Sequence, residues 1–406
     1  MIGRSAALPL HLAAATPLRV SAEGVATALI LTVQARTGHA ATAGYLQTAM
    51  TLPYVLSGPV IGLALDRAAR PRRIAVALAA CYAAATALLL IVAGRVPAAV
   101  ALPVAAAVGC TEPVVVALTS LLPRFVPAGR LARAYGLEAS SYNLAAIAGP
   151  GLAAVVAGAA GGRYAGVAIV CSALVGLLAL PLLPFPGTPE EEDEPDGPGW
   201  RQAVAGGLVV LAEGRVLRAV TAATTLAWTG FGGVAVSAVL LAGHLGAQPS
   251  TGGRLLAAMA AGMLLGSLAA SRWLTPRHAQ AVLFGGLAAF GASLAALAAV
   301  PSVPWAVAAF AAAGAFEGPV FAATLMIRQR ESPPGRLGQV NTTAGSLKIG
   351  ASAVGAALTA ASADAAGPVG LFLAIGTFQV AGAALGLAML RRPAPGKSVD
   401  FAAPGS

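Results

Sequence analysis

The chain has 406 residues, of which 58% are hydrophobic and only 10% are charged, and its mean hydropathy is +0.81. Soluble proteins of this length carry about 25% charged residues, so the composition excludes an ordinary water-soluble enzyme and indicates many membrane spans. The formal net charge of +10 is then explained by basic loops on one side of a membrane, and we expect no nucleic-acid partner.

Twelve apolar stretches are long enough to cross a bilayer, which takes about 20 residues. They lie near 12–34, 44–65, 74–94, 98–122, 135–160, 164–184, 216–242, 252–273, 279–300, 304–327, 338–362 and 367–390. The first stretch predicts a retained helix, because no clear signal-peptide cleavage site follows it. The segment from Pro184 to Pro198 is acidic and rich in proline, which predicts a solvated linker, and residues 200–218 predict an amphipathic interfacial segment.

These patterns predict four parts of the chain. We expect an N-terminal six-helix bundle in 1–184, a cytoplasmic linker in 185–215, a C-terminal six-helix bundle in 216–392 and a cytoplasmic tail in 393–406. With a cytoplasmic N-terminus, 19 of the 25 basic residues fall on the inside and four fall in outside loops. This bias places both termini in the cytoplasm. The alanine, glycine and arginine content favours a GC-rich bacterial genome, and hence a bacterial inner membrane.

The two halves repeat each other at an offset of 205 residues. Glu112, in the fourth span, matches Glu317 in the tenth, and both lie in long apolar stretches. The same offset carries Asn143 onto Lys348. A carboxylate in hydrocarbon is costly and is retained mainly where it serves an ion or substrate path. Two acids in matching positions therefore predict a duplicated transporter bundle with a site near the middle of the membrane.

The loop between the second and third spans runs Gly-Leu-Ala-Leu-Asp-Arg-Ala-Ala-Arg-Pro-Arg-Arg from Gly62 to Arg73. It resembles the signature loop of the major facilitator superfamily, Gly-x-x-x-Asp-Arg-x-Gly-Arg-Arg, with Ala69 in place of the usual glycine and Pro71 inserted. The resemblance implies an all-α polytopic membrane protein with two pseudo-symmetric six-helix bundles. It also implies a cytoplasmic gate in which Asp66 pairs with a neighbouring helix end and an arginine.

The residues that we assign to this gate are Gly62, Asp66, Arg67, Arg70, Arg73 and Glu138. Glu138 begins the fifth predicted span near Arg130 and Arg133, so we expect it to form a salt bridge at the gate. The alternative is that the loop arginines only anchor the loop on the positive side of the membrane.

Gly149, Pro150 and Gly151 in the fifth span resemble the Gly-Pro motif of antiporters in the same superfamily. The resemblance implies that this small-residue face packs against the eighth span, and it favours efflux. Ala153 and Ala154 stand where the motif has a trailing glycine pair. A proline in a membrane helix often only kinks it, so a structural role for the motif also stays open.

Five ionisable residues fall near the middle of predicted spans: Arg19, Glu23, Glu112, Glu317 and Lys348. Arg19 and Glu23 are four residues apart, share one helix face and are expected to pair. Three acids and two bases leave one negative charge, which suits a cationic or zwitterionic substrate or one transferable proton. The candidate substrate and proton site consists of these five residues with Asn143 and Trp228.

A carboxyl group in such a place can release a proton when a cationic substrate arrives and take up another from the other side. Alternatively, each acid only holds helices together through Arg19, Lys348 or a hydroxyl. Our leading hypothesis is a secondary transporter that exports a small amphipathic or cationic compound by proton antiport. A facilitator or importer of a nutrient, and a non-transporting receptor or assembly factor, remain open.

The scattered histidines (His11, His39, His244 and His278) and three cysteines form no metal-binding pattern, and no P-loop or catalytic motif is present. We therefore expect no cofactor, no metal and no enzymatic activity. The partners that we expect are a small-molecule substrate, protons and the lipid bilayer, and we expect a monomer.

Overall fold

The structure, a computed structural model, describes residues 7–38, 41–183, 200–248 and 250–391, and every regular element in these ranges is helical. Eleven of the helical stretches are long and apolar enough to cross a membrane. The last of them, Leu337–Arg391, is interrupted at Gly367, whose φ of 61° and ψ of 175° are not helical. It is therefore two helices, and the twelve predicted spans are confirmed. The acidic linker segment 184–199 and the tail lie outside the described residues.

The N-terminal half contains spans 1 to 6. Spans 1, 2 and 3 are single helices with the bounds Ala7–Thr37, Ala41–Arg67 and Pro71–Val92. Span 4 is broken into the helices Ala98–Thr111, Val114–Ala117 and Leu122–Phe125, with the 3-10 helix Leu118–Leu121 between the last two. Span 5 is the helix Leu131–Ala160 after the 3-10 turn Ala128–Arg130. Span 6 is the helix Ala165–Ala179, flanked by the 3-10 turns Gly162–Tyr164 and Leu180–Leu182.

The C-terminal half contains spans 7 to 12. Span 7 is divided at two glycines into the helices Arg215–Phe231 and Val234–His244. Spans 8, 9 and 10 have the bounds Ser250–Trp273, Ala279–Ala296 and Val303–Glu331, and the 3-10 turn Leu297–Ala299 extends span 9. Span 11 covers 337–366 and span 12 covers 368–391. A separate linker helix, Trp200–Glu213, precedes span 7, and the extended Gly214 ends the predicted interfacial segment before residue 218.

The Gly-Pro motif of span 5 packs against span 1, not against span 8 as the resemblance implied. A Cβ atom on Gly149 would come 2.6 Å from the carbonyl oxygen of Val20 and equally close to the backbone nitrogen of Gly24. Only glycine allows the two helices to approach so closely. A Cβ on Gly151 would meet nothing within 4 Å. Gly149 of the motif therefore makes a contact within the N-terminal half, between spans 5 and 1, and not a contact between the halves.

The halves meet along two pairs of spans, 2 with 11 and 5 with 8. The direct contacts lie toward the end of the bundle where spans 2 and 3, 4 and 5, 8 and 9, and 10 and 11 are joined, which we call the arginine-rich end. There a Cβ on Gly62 would overlap the side chain of Thr342 and the carbonyl oxygen of Gly338. At the other pair, a Cβ on Gly136 would overlap Ser271.

The two interfaces repeat the same positions. Residues 58, 62 and 66 of span 2 face span 11, and residues 263, 267 and 271 of span 8, each 205 positions later, face span 5. The internal sequence repeat is therefore also a repeat of the surface by which each half holds the other. The side chains differ at these matched positions, and the charge of Asp66 is replaced by the neutral hydroxyl of Ser271.

We predict that Gly62→Val opens the arginine-rich end. The added methyl groups would collide with span 11, and overpacking of this kind costs about 1–3 kcal/mol. Spin labels at the exposed positions 70 and 334 should move apart in pulsed electron paramagnetic resonance. Gly44→Val on the same span is the matched control, since a Cβ there meets nothing within 4 Å. An unchanged distance distribution in Gly62→Val would contradict the tight interface.

Candidate substrate and proton site

Arg19 pairs with Glu138, and the expected pairing with Glu23 is wrong. The Arg19 side chain is 1% exposed and its guanidinium group donates to the Glu138 carboxylate, to the Ser141 hydroxyl and, at 3.3 Å, to Thr119 Oγ1. Burying the guanidinium group is costly unless its donors are satisfied, and spans 4 and 5 supply the acceptors. Residues four apart on a helix share a face, but a neighbouring helix here supplies a better-placed acid.

Glu138 lies inside the N-terminal half and does not bridge to Arg130 or Arg133 at the gate. Span 5 begins at Leu131, so Glu138 is two turns, about 10 Å, inside the helix. Its fully buried carboxylate accepts hydrogen bonds from Thr119 Oγ1 at 2.8 Å and pairs with His11 Nε2 at 3.1 Å as well as with Arg19. Sequence reasoning missed His11, although its position about two turns before Arg19 places both on one side of span 1.

Glu23 and Glu112 are left without a basic partner among the described residues. Glu112 is half-buried at the break in span 4, where Pro113 follows the helix that ends at Thr111. Glu23 is exposed on span 1, and it is close enough to Glu112 for the two negative charges to repel each other. The Tyr54 hydroxyl of span 2 lies near both acids. The N-terminal half therefore offers two acids and a phenol hydroxyl in one place.

The C-terminal half places Glu317 and Lys348 in one small pocket. The Lys348 ammonium group lies 4.1 Å from the ring centre of Trp228 and 5.2 Å from that of Phe321. Glu317 is buried, and its Oε2 atom has no hydrogen-bond partner in the described structure. Thr224 and Gln379 also line this pocket, whose free volume of about 10 Å³ matches the room that one water molecule needs.

Two aromatic rings join the charged groups of the two halves. The Arg19 guanidinium group lies 3.8 Å from the ring centre of Tyr142, and the Tyr142 ring meets Phe321 edge-on at 5.3 Å. Phe321 in turn contacts the ammonium group of Lys348. The row from Arg19 to Lys348 has a cation at each end and two aromatic rings between them, so each cation lies against an aromatic face, which is attractive in a dry interior. The structure thus brings Arg19, Lys348 and Trp228 into one connected layer.

Asp66 caps the N-terminus of span 11 across the interface. Its carboxylate accepts hydrogen bonds from the backbone N–H groups of Gly338 at 2.8 Å and Gln339 at 2.9 Å. The first N–H groups of a helix lack partners within the helix and carry a partial positive charge, so an acid there is favourable. Arg124 donates to the backbone carbonyl oxygen of Asp66 at 3.2 Å. The loop arginines assigned to the gate are exposed: Arg67, Arg70 and Arg73.

Asn143 binds the opposite half and stands apart from the acids. Its side-chain amide donates to the carbonyl oxygen of Met263 at 3.0 Å and to the Ser267 hydroxyl at 3.1 Å, both on span 8. It is therefore part of the interface between spans 5 and 8. Its counterpart in the repeat, Lys348, faces the aromatic pocket instead, so the two halves use this repeated position differently.

Twelve spans in two repeated halves, with acids on the spanning helices of each half, define a multi-pass membrane transporter rather than an enzyme. The chain belongs to the Major Facilitator Superfamily, whose sequence profile matches residues 13–231 and 219–405. Members of this superfamily carry small molecules across lipid bilayers, often together with protons. A search of curated protein sequences gives no match.

Solved structures share the fold. The human organic anion transporter MFSD10 is 16% identical, with 95% of this chain and 100% of that chain covered and a TM-score of 0.77. The Escherichia coli fucose:proton symporter FucP is 14% identical, with coverages of 94% and 98% and a TM-score of 0.72. A bacterial homologue of the iron transporter ferroportin in an outward-facing state is 14% identical, with coverages of 95% and 99% and a TM-score of 0.70. Identities this low show a common fold only.

We predict that Arg19→Met or Glu138→Gln alone destabilises the protein by about 3–5 kcal/mol, because each leaves a buried polar group unpaired. The double variant should cost less than the sum of the two, since it leaves no lone charge. Unfolding by sodium dodecyl sulfate in mixed micelles measures both effects. Glu23→Gln is the control and should stay within about 0.5 kcal/mol of the parent. Additive costs would contradict the Arg19–Glu138 pair.

We also predict that Asp66→Asn weakens the contact with span 11. The amide keeps the shape of the side chain but loses the charge that favours the helix N-terminus, a loss of about 1 kcal/mol. The closed population at the arginine-rich end should fall, as measured with the spin labels at positions 70 and 334. Arg73→Gln should leave it unchanged. If Arg73→Gln acts as strongly as Asp66→Asn, the loop charges and not the helix cap hold this end closed.

Proposed function

We propose that this protein is a secondary transporter that exports a small cationic or amphipathic compound in exchange for protons. The observation that supports the proposal most is the pair of acids, Glu23 and Glu112, which lie within range of each other's charge and have no basic partner among the described residues. Acids near the middle of a membrane protein are retained mainly where they bind an ion or a substrate. Two of them at short range favour binding of a positive charge, either a proton or a cationic group.

The charge balance near the middle of the bundle supports the same proposal. Arg19 and Glu138 neutralise each other, which leaves Glu23, Glu112 and Glu317 against Lys348 and the buried Arg328 close to it. With all groups ionised, the region carries one net negative charge, as the sequence indicated. A deficit of positive charge in a low-dielectric interior attracts cations strongly. A purely anionic substrate fits this balance less well.

The contacts between the halves suggest how the site is reached. The interfaces 2 with 11 and 5 with 8 touch at the arginine-rich end, where Asp66 caps span 11. We propose that this end is cytoplasmic, that both termini lie there with the linker, and that the protein is a monomer of the bacterial inner membrane. The structure would then represent the state closed toward the cytoplasm, in which the site takes up protons from outside. Rocking of the halves about the site would alternate its access.

Transport by sealed proteoliposomes tests the proposal. With the parent protein, an imposed proton gradient should drive movement of a cationic amphiphile such as ethidium against its own gradient. Glu112→Gln and Glu317→Gln should each abolish the response to the proton gradient, because an amide neither carries a proton nor balances a cation. Glu213→Gln on the exposed face of the linker helix is the matched control and should transport normally.

The other outcomes separate the alternatives. Movement of the compound only down its own gradient, with no effect of pH, indicates a facilitator or importer. Absence of transport for a broad panel of cations, together with unchanged biological activity in both glutamine variants, indicates a receptor or assembly factor. Either result overturns the proton-coupled exporter.

A further inference from the structure

The Lys348 side chain occupies a place built for a cation. Its ammonium group lies over the face of Trp228 and near the face of Phe321. Two aromatic faces around a cation, with an acid nearby, are the means by which proteins recognise organic ammonium compounds. The side chain is 6% exposed, so its charge is held by these rings instead of by water. This chain has thus placed one of its own amines where an amine ligand would bind.

Glu317 offers the same ammonium group a second partner. Glu317 lines the same pocket, and its Oε2 atom is buried without a hydrogen-bond partner. No ion pair joins it to Lys348 in the described part of the chain. A buried carboxylate without a partner is costly, so this arrangement suits a protonated Glu317. Lys348 therefore has two alternative partners, the aromatic faces that it contacts and the acid that it does not.

The size of the pocket prevents both ligand and lysine from sharing the aromatic faces. Its free volume of about 10 Å³ has room for about one water molecule and none for an alkylated amine. A substrate ammonium group can reach Trp228 only if Lys348 leaves. The repeat supports a special role for this residue, because Asn143 takes the same position in the other half and has a structural contact there.

We propose that Lys348 is an internal substitute for the cationic group of the substrate, and that its displacement releases the proton of Glu317. This proposal rests on the proton-coupled transport proposed above and names the ligand class, an organic ammonium compound. The substrate cation takes the place over Trp228 and Phe321, and Lys348 moves to the Glu317 carboxyl group. The O–H bond of Glu317 breaks, its electron pair stays on the carboxylate, and the proton passes to water.

The exchange keeps the charge of the pocket constant. Before binding, the pocket holds the Lys348 ammonium group and a neutral acid; after binding, it holds two ammonium groups and one carboxylate. One cation enters for each proton that leaves. The remaining polar groups that line the pocket from spans 7 and 12, Thr224 and Gln379, are neutral. Arg328 of span 10 is a further charge close to Lys348. Arg328 disfavours a third positive charge, so loss of the proton balances the arrival of the substrate.

Calorimetric titration of the purified protein with choline, in two buffers of different protonation enthalpy, tests the proposal. Lys348→Ala removes the internal competitor and opens its space, so it should bind choline about tenfold more tightly than the parent. Lys348→Arg retains a cation and should bind like the parent. The uncharged analogue 3,3-dimethylbutan-1-ol should gain much less affinity from Lys348→Ala than choline does, because it gains the space but lacks the charge that the aromatic faces attract.

Proton release distinguishes this role from a structural one. The parent protein should release about one proton per bound choline, and Lys348→Ala should release none because no amine moves to Glu317. Lys348→Met, which keeps most of the bulk of the side chain without its charge, should also release none and serves if the alanine variant does not fold. Choline binding to Lys348→Ala that is no tighter than in the parent, or undiminished proton release, overturns the proposal. If either result is found while the parent protein still shows proton-driven transport in vesicles, only the role of Lys348 is overturned. If the parent shows no proton-driven transport, the proposed function itself is overturned.

Discussion

The structure depends on the cost of placing charge in a membrane. Each buried charge must find a partner or a use, since no water is present in the hydrocarbon layer to solvate it. Arg19 meets this requirement through Glu138, which also receives His11 and Thr119. This network ties spans 1, 4 and 5 together, and it engages Arg19, which the sequence had paired with Glu23. Among the described residues, Glu23 and Glu112 of the candidate site are thus left without a basic partner.

Close backbone contact is the second requirement, because association of helices in lipid relies on packing and hydrogen bonds. Glycines serve two different contacts in this protein. Gly149 joins spans within one half, and Gly62 and Gly136 join the halves to each other. The contacts between halves repeat at the 205-residue offset, so the same surface is used twice. Asp66 gives the interface of spans 2 and 11 a charged helix cap, so that interface responds to changes of charge. The interface of spans 5 and 8 depends on packing and on neutral hydrogen bonds.

The site itself is divided between unlike halves. The N-terminal half presents two acids, and the C-terminal half presents an acid, an amine and aromatic faces around a space of about one water molecule. Tyr142 and Phe321 connect them at the interface. Duplication supplied the frame, and the departures from the repeat, Lys348 against Asn143 and Asp66 against Ser271, lie where the two halves must perform different tasks. The proposed exchange of a cation for a proton would use this division.

The sequence alone was sufficient for the membrane class, the twelve spans, the repeat, the superfamily and the position of Asp66 at the arginine-rich end. Each of these follows from hydropathy, from charge in loops or from a local motif, which depend on neighbours along the chain. The partner of Arg19, the depth of Glu138, the helix that Gly149 touches and the aromatic contacts of Lys348 were decided only by the tertiary structure. Helix periodicity tells which residues share a face, but the rotation of each helix about its axis and the neighbour that it meets are set by packing among all twelve spans.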